Sequence, residues 1–221
     1  MCTEVFDQQN AALDRILAER RSHRVFRPEP PSEDEIRRIL HAGLLAPFAA
    51  ASVGTGDDYF RRFFVFRHGS ASMNDAIPLV RDQVSRMADE LERAMHHDAG
   101  LRAKAVMFAH RLSQFRKAGY VPGVGTAPYY IVVAEKKGYP PVELQSLAHC
   151  MQNMWLKATA LGIGFQLVSA TSLVSSDPAF CRILGIPPGE YELMGCAMGY
   201  PGDKLSPSIR PAVEDVTRWL D

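Results

Sequence analysis

The run Ala127-Pro128-Tyr129-Tyr130-Ile131-Val132-Val133-Ala134 constrains this 221-residue chain more than any other stretch. It shows no polar alternation, so neither of its faces suits water, and a continuous apolar run of this kind reads as a central, buried strand. Such a strand needs apolar cover on both sides. The nearest cover follows directly: Leu144, Leu147, Met151, Met154, Trp155 and Ala158 keep i, i+3, i+4, i+7 spacing and predict a helix from about 141 to 161.

The same reading extends along the chain. Leu13, Ile16 and Leu17 predict a helix over 8–19. Ser32 followed by Glu35 is a capping-box start for a second helix, whose buried face is Ile36, Ile39, Leu40, Gly43 and Leu44 and which stops at Pro47. Residues 49–58 form a small-residue loop. Arg62-Phe63-Phe64-Val65-Phe66 is aromatic and β-branched and reads as a strand. Two helices are expected at 74–97, with Leu79, Val80, Val84, Met87, Leu91 and Met95 on one side, and at 101–117, with Met107, Phe108 and Phe115 read as core. Gly162 ends the helix begun near 141 and opens a strand to Val168; a short helix at 177–184 and a strand over 191–201 complete the chain. Gly162-Ile163-Gly164 follows a helix rather than a strand, the wrong setting for a dinucleotide-binding turn. Strands and helices mingle without strict βαβ alternation, so the expected class is α+β, a mixed central sheet flanked by helices in an α/β/α sandwich. One domain over 1–221 is expected, with a helical excursion at about 74–118.

Charge and cysteine usage narrow the function. Lys plus Arg number 25 and Asp plus Glu 25, and this balance argues against nonspecific nucleic-acid binding. No run reaches the roughly 20 apolar residues needed to span a bilayer, and the start lacks a basic segment followed by an apolar one, so a cytoplasmic location is expected. Cys2, Cys150, Cys181 and Cys196 are scattered without metal spacing, and Cys150 and Cys196 read as small buried hydrophobes. No metal site is expected; His96-His97-Asp98 reads as a solvated helix end.

The positive charge is concentrated in Arg20-Arg21-Ser22-His23-Arg24. Guanidinium forks, a hydroxyl and nearby backbone N–H groups suit phosphate oxygens, while the alternative is a solvated basic loop. Farther on, Asp57, Asp58, Arg61 and Arg62 form a polar patch, read as a solvated loop or a substrate-specific feature.

Taken in order, several pieces resemble the FMN-dependent nitroreductase family. They are Arg20 to Arg24 with Phe26; Pro31-Ser32 leading to Gly43-Leu44-Leu45-Ala46-Pro47; Ala127-Pro128; Gln152-Asn153 through Ala160-Leu161-Gly162-Ile163-Gly164; Leu184-Gly185-Ile186-Pro187; and Gly199-Tyr200-Pro201 with Arg210-Pro211. The resemblance runs from about 12 to 213 and is weakest between 50 and 125. It implies a homodimer with FMN at the subunit interface, NAD(P)H as hydride donor and a small aromatic, nitro or quinone-like acceptor. It further implies that Arg20, Ser22 and Arg24 contact the FMN phosphate, that Arg21 contributes locally, and that Arg210 closes the same site, with Ser208 or Lys204 near the place of a common lysine. Pro47 and Phe48 would form the turn beside the flavin, and Ser169 and Ala170 would follow the strand that approaches the ring. No side chain is implied as a conventional catalytic acid.

The chain departs from the family pattern where many members carry an Asn and a Gln-Pro-Trp: Ala51 and Val53 stand near those positions. A divergent branch is implied. The alternatives are a flavin-fragmenting or dehalogenating relative and a flavin-binding protein without turnover. The helices over 74–117 and the loop near Tyr120 are the expected substrate cover.

Overall fold

The computed structural model describes residues 2–48, 59–206 and 208–220, with side chains from residue 6 onward. Four strands, β1 (Arg61–Arg67), β2 (Tyr129–Lys136), β3 (Gly164–Val168) and β4 (Tyr191–Gly199), lie in the order β1-β2-β4-β3. All three pairings are antiparallel; the parallel element is a bridge between Ser22 and Phe165 at the β3 edge. The expected central strand is β2. Tyr130, Val132 and Ala134 enter the core on one face and Tyr129, Ile131 and Val133 on the other, as period-two backbone dictates.

Helix α1 spans Cys2–Glu19, α2 Glu33–Leu44, α3 Ala71–His97, α4 Ala99–Ala118, α5 Glu143–Ala160 and α6 Pro178–Leu184. Helices α2 and α5 cover one face of the sheet, where Ile36, Ile39, Leu147, Met151 and Met154 meet Ile131 and Phe165. Helices α3 and α6, with a 3-10 turn at Ser169–Val174, cover the other, where Met73, Val80, Val84 and Phe180 meet Tyr130 and Val132. This is the α+β sandwich expected from sequence. Cys150 and Cys196 lie in the core, and burial pushes the Cys150 thiol up to about 12 and raises that of Cys196 too.

Several local expectations shift for physical reasons. The α2 capping box forms as read: Ser32 Oγ accepts from the Glu35 amide and the Glu35 carboxylate accepts from the Ser32 amide. Helix α1 begins well before residue 8, through a first turn and a half in which Val5 and Phe6 are adjacent and do not extend the i, i+3, i+4 spacing of Leu13, Ile16 and Leu17. Helix α3 starts three residues before the expected Asn74, because Ser70 caps the Met73 amide and brings Met73 and Ala76 into the core; Pro78 is accommodated inside it. On α5 the buried stripe is Leu147, Cys150, Met151, Met154 and Ala158, while Leu144 is exposed. Helix α4 corrects the reading of its aromatics most. It packs on α3 rather than on the sheet, so Leu112 is buried and Phe115 partly so, whereas Met107 and Phe108 are exposed.

The patch read as a solvated loop is also corrected in part. Arg61 opens β1 and is fully enclosed, donating to Glu135 on β2, to the Gly43 carbonyl at the end of α2 and to Ser146 on α5. Asp57 and Asp58 lie outside the described residues, as do Ala51 and Val53.

Candidate functional site

The Arg20 to Arg24 segment leaves α1 as extended backbone lying against β3. The His23 amide donates to the Phe165 carbonyl, the Arg27 amide to Tyr200, and the Gly202 amide to Val25. A small residue at the contact makes this possible: a Cβ on Gly164 would press on the His23 side chain and the Gly199 carbonyl. The Gly199-Tyr200-Pro201 stretch is therefore the second rail of the Arg segment, with Phe26 bridged to Pro201.

The side chains of the segment separate. Arg20 lies 4.4 Å above the Trp155 ring, which stacks on Phe165, and Trp155 Nε1 donates to the Arg21 carbonyl. Arg21 donates to the Ser206 carbonyl, and His23 Nδ1 sits 2.6 Å from Asp203 Oδ1. Burial works against ionisation of Asp203, but the hydrogen bond and charge of His23, with the Arg24 and Asp203 amides, outweigh it and hold the carboxyl below its ordinary value. Tyr200 donates to Glu35, which raises its own pKa, while the Ser32 cap and Tyr200 hold Glu35 low; this links the Gly-Tyr-Pro stretch to the start of α2. Ser22 is half-buried at its bridge to Phe165.

Arg24, exposed, lines a different place, a cavity of about 630 Å³. Ser169 and Ala170 line the same cavity, as do Gln166 from β3, Pro122 from the connection into β2, Met87 from α3, and Phe108, Arg111 and Phe115 from α4. Its size falls within the roughly 300–1,000 Å³ of small-molecule clefts. Among the described residues no carboxylate lines it, and the guanidinium groups of Arg24 and Arg111 have no partner. Gln166 Nε2 donates to the Pro122 carbonyl, which fixes the amide and leaves the enclosed Oε1 without a donor. A buried acceptor left open costs about 1–3 kcal/mol unless something donates to it.

Three of the site residues expected from sequence thus meet in one place: Arg24, Ser169 and Ala170. The rest do not. Pro47 is exposed, and Phe48 packs on Phe60, ring centroids 4.6 Å apart, beside the first turn of α5. Arg210 is exposed and donates to its neighbour Ile209. Gln166 and Arg111 line the same cavity and do not stand out in the sequence. Only the period-two pattern of β3 could have singled out Gln166, as the polar member of the face it shares with Val168.

The nitroreductase family model matches residues 17–200. The chain belongs to the nitroreductase family. Among solved structures, a BluB-like flavoprotein from Clostridium difficile 630 is 21% identical, with 95% of this chain and 99% of that one covered at a TM-score of 0.65. A nitroreductase with bound FMN from Desulfitobacterium hafniense DCB-2 is also 21% identical, covering 95% and 98% with a TM-score of 0.64. An FMN and NADPH-dependent nitroreductase, NfnB, from Sphigopyxis sp. strain HMH is 17% identical, covering 95% and 99% with a TM-score of 0.62. At these identities the likeness establishes the nitroreductase fold. No curated protein matches the chain. No helix among the described residues is long and apolar enough to cross a membrane.

Proposed function

We propose that this nitroreductase-family protein is an FMN-dependent oxidoreductase that passes a hydride from NAD(P)H, through the flavin, to a small planar acceptor. The observation that carries the reading is the cavity at the end of β3, where the free guanidinium of Arg24, the small residues Ser169 and Ala170, and the open acceptor Gln166 Oε1 come together. These residues fit the group. A phosphate needs charge-assisted donors, ribityl hydroxyls or a ring N–H can satisfy Gln166, and a flat ring needs a wall without bulk. Bound FMN supplies two-electron chemistry that no side chain here can supply. This chain contributes the anion-binding end through Arg24, the small-residue wall through Ser169 and Ala170, and water exclusion through Met87, Phe108 and Phe115. NADPH dependence in NfnB supports a nicotinamide donor.

The working form proposed is a homodimer. Phe6, Leu13 and Leu17 on α1 and Ile209, Trp219 and Leu220 in the C-terminal segment are exposed apolar side chains that a second copy would cover. Pro47, Phe48 and Arg210 do not reach the cavity of their own chain, and an interface between copies would bring them to a flavin. The assignments of Arg20, Arg21 and Ser22 to the phosphate belong to the same proposal.

The test is direct. The purified protein should be yellow or should take up added FMN, and should consume NADPH with a quinone or nitroarene. Arg24→Ala should weaken FMN retention by roughly ten- to a hundredfold, the worth of one charge-assisted contact. Absence of FMN uptake overturns the proposal; uptake without NAD(P)H consumption leaves a flavin-binding protein without turnover.

A further inference from the structure

We propose that Arg111 is a substrate-binding residue that selects acceptors carrying an anionic group, with an aromatic carboxylate as the substrate class; the inference rests on the flavoenzyme reading of the same cavity. Phe108, Arg111, Leu112 and Phe115 stand at i, i+3, i+4 and i+7 on α4, so one stripe of that helix faces the cavity. The apolar members of this stripe, with Val84 and Met87 of α3, form a wall suited to a flat apolar body. Arg111 places a positive charge on the same stripe.

Arg111 is an exposed side chain, and three observations support reading its charge as a ligand group rather than as part of the helix pair. Its neighbour Arg116 is tied to Asp89 and Glu92 of α3, at 2.7 and 3.2 Å, so the carboxylates that join the two helices are already engaged. Arg111 has no such partner among the described residues, and no acidic side chain lines the cavity. Arg24, the other free cation of the cavity, comes from the Arg segment beside β3, a different wall. If Arg24 serves the cofactor phosphate, one positive charge remains for a second anion. Gln166, its amide fixed on the Pro122 carbonyl and its Oε1 without a donor, is a further polar group on the wall of the same cavity. A carboxylate is the simplest anion for a single guanidinium, which binds it in a two-pronged fork.

The probes are 4-nitrobenzoate and nitrobenzene, which differ by one carboxylate. Dissociation constants for both are measured by calorimetry on FMN-loaded, oxidised protein without reductant, for the unmodified chain, Arg111→Gln and Arg111→Lys. The kcat/KM ratio between the two acceptors is then measured with NADPH. Arg111→Gln should lower the preference for 4-nitrobenzoate over nitrobenzene about tenfold in both binding and kcat/KM. Arg111→Lys should restore most of it, and raised salt should weaken 4-nitrobenzoate binding to the unmodified chain. Unchanged preference in Arg111→Gln overturns the proposal. So does a variant that loses FMN, or raises the KM for NADPH while keeping the preference, because the charge would then serve cofactor or donor. Carboxylate-selective binding without turnover of either acceptor upholds the anion site and overturns the oxidoreductase reading instead.

Discussion

Arg61 and Glu135 stand opposite each other in the β1–β2 register and meet inside the protein, Nε to Oε1 at 2.7 Å, with both side chains almost fully enclosed. The guanidinium also donates to the Gly43 carbonyl near the end of α2, an acceptor it shares with the Ala46 amide, and to Ser146 on α5. One charge pair thus fastens two strands to both helices of one face. Removing either partner alone leaves a buried charge without compensation, at a cost of about 3–5 kcal/mol. Glu135→Leu and Arg61→Met should each lower stability by that order in urea unfolding. The double variant should be less damaging than the sum of the two, because no lone charge remains; strict additivity would show that the pair is not coupled.

A second prediction concerns Gly195 in β4. A Cβ there would run into the Thr171 hydroxyl and the Tyr130 ring, and Thr171 is itself fixed by bonds to Tyr130 and the Val168 carbonyl at 2.8 Å each. Gly195→Ala should therefore destabilise the protein by roughly 1–3 kcal/mol through overpacking. Adding Thr171→Ser, which removes a methyl but not the hydroxyl, should recover little of that loss. Thermal unfolding of the three proteins decides it.

What the sequence made legible was whatever depends on neighbours along the chain. The apolar run at β2, the Ser32–Glu35 box and the glycine stop at Gly162 are local patterns with local causes. What it hid depends on partners far away. Arg61 looked like loop because its carboxylate lies 74 residues on. Met107 and Phe108 looked like core because helical spacing does not say whether a helix packs on a sheet or on one other helix. The Arg segment stands out along the chain, yet Trp155 and Ser206, both distant in sequence, draw two of its arginines away from Arg24.

The His23–Asp203 contact predicts a pH dependence. The folded Asp203 carboxyl lies below its ordinary 3.8, so this contact contributes stability that is present above about pH 4 and is lost as pH falls through the lower folded value. Asp203→Asn should cost about 1–2 kcal/mol near neutrality and flatten that part of the acid limb. Chemical denaturation between pH 2.5 and 7, compared for the two proteins, measures both effects; an unchanged acid limb would remove Asp203 from the account.

The C-terminal segment supplies the last prediction. Ile209, Val213, Val216, Trp219 and Leu220 are 66–94% exposed, so five large apolar side chains stand in water with nothing among the described residues to cover them. Covering one such side chain is worth about 1.5–3 kcal/mol, so the set contributes a gain of the same order as the cost of association. Truncation after Ser206 should leave the sheet and its two helical layers folded, because none of the described side chains it removes belongs to either core cluster. In light scattering the full chain should run as a dimer and the truncated protein as a monomer. If the flavin site spans the interface, its FMN affinity should fall together with dimerisation, and a truncated protein that remains dimeric with undiminished FMN affinity would place both the interface and the site elsewhere.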